Sequence, residues 1–149
     1  MSDQALNLVT PVQILQACCD VVGVHPDLVR IRRNRNPLLT NTRGCYVVVA
    51  RTLLHASYPD LARVVNRTHS SLIGSCNQWR YWQAKGKPVL TRHGDIDRQD
   101  AIERVIAALR SHPGIYVPEH LLNLAASAGR YWSVGNAPTR AADRKAVPQ

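Results

Sequence analysis

Three features of this sequence predict an all-α fold, a compact helical domain. Apolar residues recur at three- and four-residue spacings in segments that open on helix-capping residues. The β-branched run Val47-Val48-Val49 has no second strand-like segment to pair with. Finally, 149 residues at 45% hydrophobic content suffice for one core. No apolar run approaches the roughly 18 to 20 residues of a membrane span.

Thr10-Pro11-Val12-Gln13 has a capping-box arrangement with Pro at the first helical position, and Ile14, Leu15, Cys18, Val21 and Val22 follow at helical spacing. A first helix is expected from Pro11 to Val22, closed by Gly23. His25-Pro26-Asp27 then opens a short turn carrying Leu28, Val29 and Ile31. Arg30, Arg32, Arg33 and Arg35 follow in a loop that ends at Pro37, a residue that disfavours helix in Asn36. Asn41 or Thr42 caps the next helix, which runs to about His55 with Tyr46, Val49, Ala50, Leu53 and Leu54 inward.

Ser57-Tyr58-Pro59-Asp60 starts a helix of about two turns through Leu61, Val64 and Val65, and Asn66-Arg67 breaks it. Thr68-His69-Ser70-Ser71 then opens a second helix, whose stripe is Leu72, Ile73, Cys76 and Trp79. A short helix, a turn and a helix whose first turn is all hydrogen-bonding side chains form the pattern of a helix-turn-helix. Trp79, Tyr81 and Trp82, at its far end, are expected to pack rather than stack on bases.

Ala84 to Pro88 reads as a loop, and Asp95 to Arg110 as an amphipathic helix through Ile102, Val105, Ile106 and Leu109, stopped at His112-Pro113-Gly114. A further helix is expected from Pro118 to Ala128, and a loose tail from Gly135. The predicted organisation is a helix-turn-helix domain over residues 1–83, a C-terminal helical extension over 84–134 and a flexible tail over 135–149.

Charge points to the partner. Nineteen Lys and Arg face 10 acids, for a net charge of +9. The excess is concentrated in residues 21–94, where 12 cations meet 2 acids, while residues 1–20 carry −2 and residues 95–149 carry +1. A basic block beside a near-neutral tail is the footprint of a polyanion surface, because phosphate contacts release counterions.

The cysteines offer no metal chemistry: Cys18 and Cys19 are adjacent, and Cys45 and Cys76 stand alone. Cys18, Cys45 and Cys76 fall among apolar residues, as reduced thiols acting as small buried hydrophobes do. The six histidines are scattered among few acids with no nucleophile-base spacing, so no enzyme activity is expected. No G-x4-G-K-[ST] phosphate loop occurs. No metal and no cofactor is expected. Residues 1–10 hold no Lys, no Arg and no long apolar stretch, so a cytoplasmic location is expected.

The basic block Arg32-Arg33-Asn34-Arg35, the apolar helix from Arg43 to Arg51, the segment Ser57-Tyr58-Pro59-Asp60-Leu61 and the segment Arg67-Thr68-His69-Ser70-Ser71 occur in an informative order. In that order and approximate spacing the sequence resembles the C-terminal DNA-binding domain of the bacterial chromosomal replication initiator DnaA, over roughly residues 11–82. The resemblance implies a Trp-repressor-like helix-turn-helix. It implies that Arg33, flanked by Arg32 and Arg35, enters the minor groove, and that Arg43 and Arg51 approach the backbone or base edges. It further implies that His69, Ser70 and Ser71, with Arg67 and Thr68 ahead of them, face the major groove. Departures bear on base preference: Thr68 replaces an Asp, Gly44 replaces a Gln, and the Gly-Gly turn is shortened to Asn66.

The expected partner is therefore double-stranded DNA, bound at an origin or operator without ATPase activity in replication or transcription control. The competing expectation is a protein-interaction module with only generic DNA affinity, engaging a replication or transcription protein through residues 84–134.

Overall fold

The structure is a computed structural model that describes residues 8–31, 36–54, 56–112 and residue 119. Helix α1 spans Pro11–Val22. Its capping box closes as expected: the Gln13 amide donates to Thr10 Oγ1 at 3.3 Å, and the Thr10 amide to Gln13 Oε1 at 2.9 Å. At its far end Gly23 sits at φ 91°, a left-handed conformation. A Cβ there would also stand 2.8 Å from Cβ of Arg92, so glycine is required twice over.

Helix α2 is the single turn Pro26–Val29, whose cap His25 accepts the Asp27 amide on Nδ1 at 3.1 Å. Helix α3, Pro37–Leu54, starts four residues before Asn41, the earlier of the two expected caps, Asn41 and Thr42. Its start is set at Asn36, whose Oδ1 accepts the Leu38 amide at 2.8 Å, while Pro37 occupies the first helical position. Every residue from Thr42 to Ala50 is buried, because α3 runs through the middle of the domain with α1 on one side and α5 on another. A helix surrounded on all sides shows no polar stripe, and this accommodates Val47-Val48-Val49.

Helix α4, Tyr58–Val64, and helix α5, His69–Ala84, are the expected pair. Tyr46 ties α3 to α4 by donating its hydroxyl to the Leu61 carbonyl at 2.8 Å. After α5 the structure departs from expectation. Val89–Thr91 and Gly94–Ile96 form β1 and β2, an antiparallel hairpin with Val89 opposite Ile96 and Thr91 opposite Gly94. Asp95 therefore belongs to a strand, and helix α6 begins later, at Arg98–Ser111, capped by Asp97. The hairpin tip is fixed to the end of α1, where the Arg92 amide donates to the Val22 carbonyl at 2.8 Å and Arg92 Nε to the Gly23 carbonyl at 2.6 Å.

Among the described residues the fold is all-α apart from this hairpin, as predicted. The expected apolar face of α6 is buried, but in the same core as the rest: Ala101, Ile102, Val105, Ile106 and Leu109 join Ile14, Cys18, Tyr46, Leu61 and Trp79 in one cluster. The extension anticipated from residue 84 thus begins, through residue 111, as part of the first domain's core. The four cysteines are free and buried. Among the described residues, no helix is long and apolar enough to cross a membrane. The expected helix from Pro118 to Ala128 and the tail after Gly135 lie outside the described residues.

Candidate nucleic-acid interface

The α4–turn–α5 corner is built from local signals. Ser57 caps α4 by accepting the Asp60 amide at 3.3 Å, and Pro59 sits in the first turn, where its missing N–H costs nothing. Asn66 ends the helix at φ 55°, in the left-handed region that asparagine tolerates better than most residues. Its Nδ2 donates to the Arg30 carbonyl at 3.1 Å, and Arg30 Nε donates back across the same junction to the Val64 carbonyl at 2.9 Å. Two reciprocal bonds thereby fix the turn to the end of α2. Arg30, read from sequence as part of a basic loop, is a structural tie whose guanidinium also meets Asp27 at 3.1 Å.

Thr68 is the N-cap of α5, with φ −76° and ψ 157°, and its Oγ1 accepts the Ser71 amide at 3.1 Å. Leu72, Cys76 and Trp79 point inward and are buried, while Ile73, expected on the same stripe, is half-buried. This phase leaves Thr68, His69 and Ser70 exposed, with Ser71 half-buried behind them. The backbone N–H groups of His69 and Ser70 find no acceptor among the described residues. An imidazole, hydroxyls and two free N–H groups at the positive end of a 16-residue helix can address base edges and a phosphate together.

The arginines divide. Arg67, at the turn, is half-buried, and its Nε is shielded from water without a hydrogen-bond partner among the described residues. Arg43, expected on the DNA surface, is only 5% exposed, and one of its terminal nitrogens donates to the Val29 carbonyl at 3.3 Å. Burial, and then the like charge of Arg67, push its guanidinium down to about 10. The early start of α3 explains this burial: Arg43 lies in the second helical turn, facing α2, rather than at a helix mouth. Arg51 is likewise engaged within the fold, donating to the Ala56 carbonyl at 2.7 Å and lying 4.3 Å over the Tyr58 ring. Arg32, Arg33 and Arg35 lie outside the described residues.

The structure therefore gathers Arg67, Thr68, His69, Ser70 and Ser71 at one corner and turns Arg43 and Arg51 inward. Sequence reasoning missed Arg63, exposed on α4 and ion-paired with Asp60. Its signal was the i, i+3 spacing of acid and base on a short helix. Searches against protein-family profiles, curated proteins and solved structures return no match to this chain.

Proposed function

We propose that this chain is a sequence-specific double-stranded DNA-binding protein of the helix-turn-helix type, acting as an origin or operator binder in replication or transcription control and resembling the DNA-reading domain of DnaA. The observation that carries this reading is the first turn of α5. There Thr68, His69 and Ser70 stand exposed beside two backbone N–H groups without acceptors among the described residues, on a helix held at its turn by the Asn66–Arg30 and Arg30–Val64 bonds. Rigid presentation of a few hydrogen-bonding groups is what base readout requires. The charge of residues 21–94 supports it with sequence-independent attraction. In this reading Arg43 and Arg51 set the shape of the reader without touching DNA, and Arg32, Arg33 and Arg35 supply the minor-groove contact.

The test is selection from a random duplex pool at near-physiological salt, followed by affinity against salt for any enriched site. An enriched box bound about 10³-fold or more above random duplex supports the reading. Binding without enrichment that falls uniformly with salt rejects it and leaves generic DNA affinity beside a protein partner.

A further inference from the structure

A groove of about 560 Å³ opens between the first two turns of α3, the second half of α5 and the base of the hairpin. This is the size of a small-molecule site, for which ~300–1,000 Å³ is usual. Its unusual feature is Arg98. This side chain lines the groove while only 4% exposed. Its Nε donates to the Lys87 carbonyl at 2.8 Å, and its guanidinium carbon lies 4.5 Å from the centre of the Trp79 ring. Its two terminal nitrogens have no acceptor, and no carboxylate reaches it, among the described residues. A guanidinium with so little exposure is ordinarily paired, and the Arg98 terminal nitrogens, which are not among the fully buried unpartnered atoms, keep their contact with solvent.

The surroundings are those of an anion attached to a ring. Pro37, Thr40 and Asn41 on the wall belong to the start of α3, so the positive end of that helix adds to the field of Arg98. Lys87 supplies a second cation on the rim, 4.1 Å from the centre of the Trp82 ring. Asp95, the acid among the lining residues, offsets one of these charges and offers an acceptor for a ring N–H or hydroxyl. Half-buried Trp82 provides an aromatic wall that a simple inorganic ion would not use.

We infer that this groove binds a small planar ring carrying an anionic group, a mononucleotide or an aromatic carboxylate, with the anion at Arg98 and the ring against Trp82. The site is independent of the DNA-reading proposal, since it lies on the second half of α5 and its test contains no DNA.

The full-length chain, isotopically labelled, would be titrated with adenosine 5′-monophosphate, indole-3-carboxylate, adenosine and sodium phosphate. The readouts are the Trp82 indole N–H signal, assigned with W82F, and the Arg98 Nε–H signal. The expected result is saturable shifts of both signals with at least one ring-bearing anion, about tenfold weaker for adenosine or phosphate alone, and weakened to a similar degree in R98M and K87E. The better of the two ring-bearing anions identifies the source. Lys87 is exposed, so K87E carries the test if R98M does not fold. Absence of saturable shifts, an equal response to inorganic phosphate, or undiminished binding in folded K87E or R98M overturns the inference.

Discussion

Gly44 of α3 lies directly on Trp79 of α5: a Cβ at position 44 would stand 3.1 Å from the indole Cε3 and 3.2 Å from Cβ of Trp79. The two helices cross there with only a hydrogen between them. Trp79 has little room to yield, being buried, donating its indole N–H to Gln83 at 3.0 Å and lying under Arg98. G44A gains about 1 kcal/mol of helix propensity but overpacks the crossing by about 1–3 kcal/mol. The expected outcome is a net loss, larger for G44L, read as a lower urea midpoint at unchanged slope.

Thr68 tests whether the start of α5 is held by its cap. T68A removes the Oγ1 acceptor of the Ser71 amide and is expected to cost about 1 kcal/mol. T68D retains an acceptor there and complements the helix dipole, so its thermal midpoint should match or exceed that of the wild type. If T68D is as destabilised as T68A, the cap is not what holds the turn.

Arg43 separates a buried arginine from a DNA contact. R43M keeps most of the stem inside the fold and removes the charge beside Arg67. On this account the salt slope of DNA binding is unchanged by R43M, whereas a lost phosphate contact would reduce it by about 0.9. Measuring log affinity against log salt for both proteins decides it.

Alkaline pH should destabilise the fold. Burial raises Cys19 from its ordinary 9.0 to about 12, and burial also raises Cys18, Cys76, Tyr46 and Tyr58. Above pH 9 the unfolded chain releases thiol protons that the folded chain retains, so stability falls with rising pH from there to about 12 for Cys19. Thermal midpoints taken from pH 8 to 10.5 should fall progressively. In the native state at pH 8 all four buried thiols should react with a disulfide reagent only as fast as the protein opens.

What was legible in the sequence follows from how local each signal is. The Thr10 box, the Ser57 cap and the Thr68 start are contained in four residues, and each helix begins where its cap stands. Asn36-Pro37 carries the same cap-then-proline signal as Thr10-Pro11, but the arginines before it make Pro37 look like the end of a basic loop rather than a helix start. A helix starting at Asn41 would put Arg43 at its mouth, on the DNA surface, instead of in the second turn of α3. The hairpin was missed because its strands have three residues each, too short to show alternation, and its turn glycine, Gly94, follows the two turn residues Arg92 and His93. A charged side chain's direction is set by helix phase and by neighbours distant in sequence, which is why Arg51 and Arg98 could not be placed from composition.

The central claim rests on the exposed first turn of α5, and the most direct measurement compares wild type with H69A on a selected duplex and on variants of it changed one base pair at a time. Truncating His69 is expected to weaken binding to the selected duplex by about 1–3 kcal/mol and to flatten discrimination at one or two adjacent positions, leaving random-duplex affinity unchanged. A uniform loss on every duplex, or no loss on any, would contradict it.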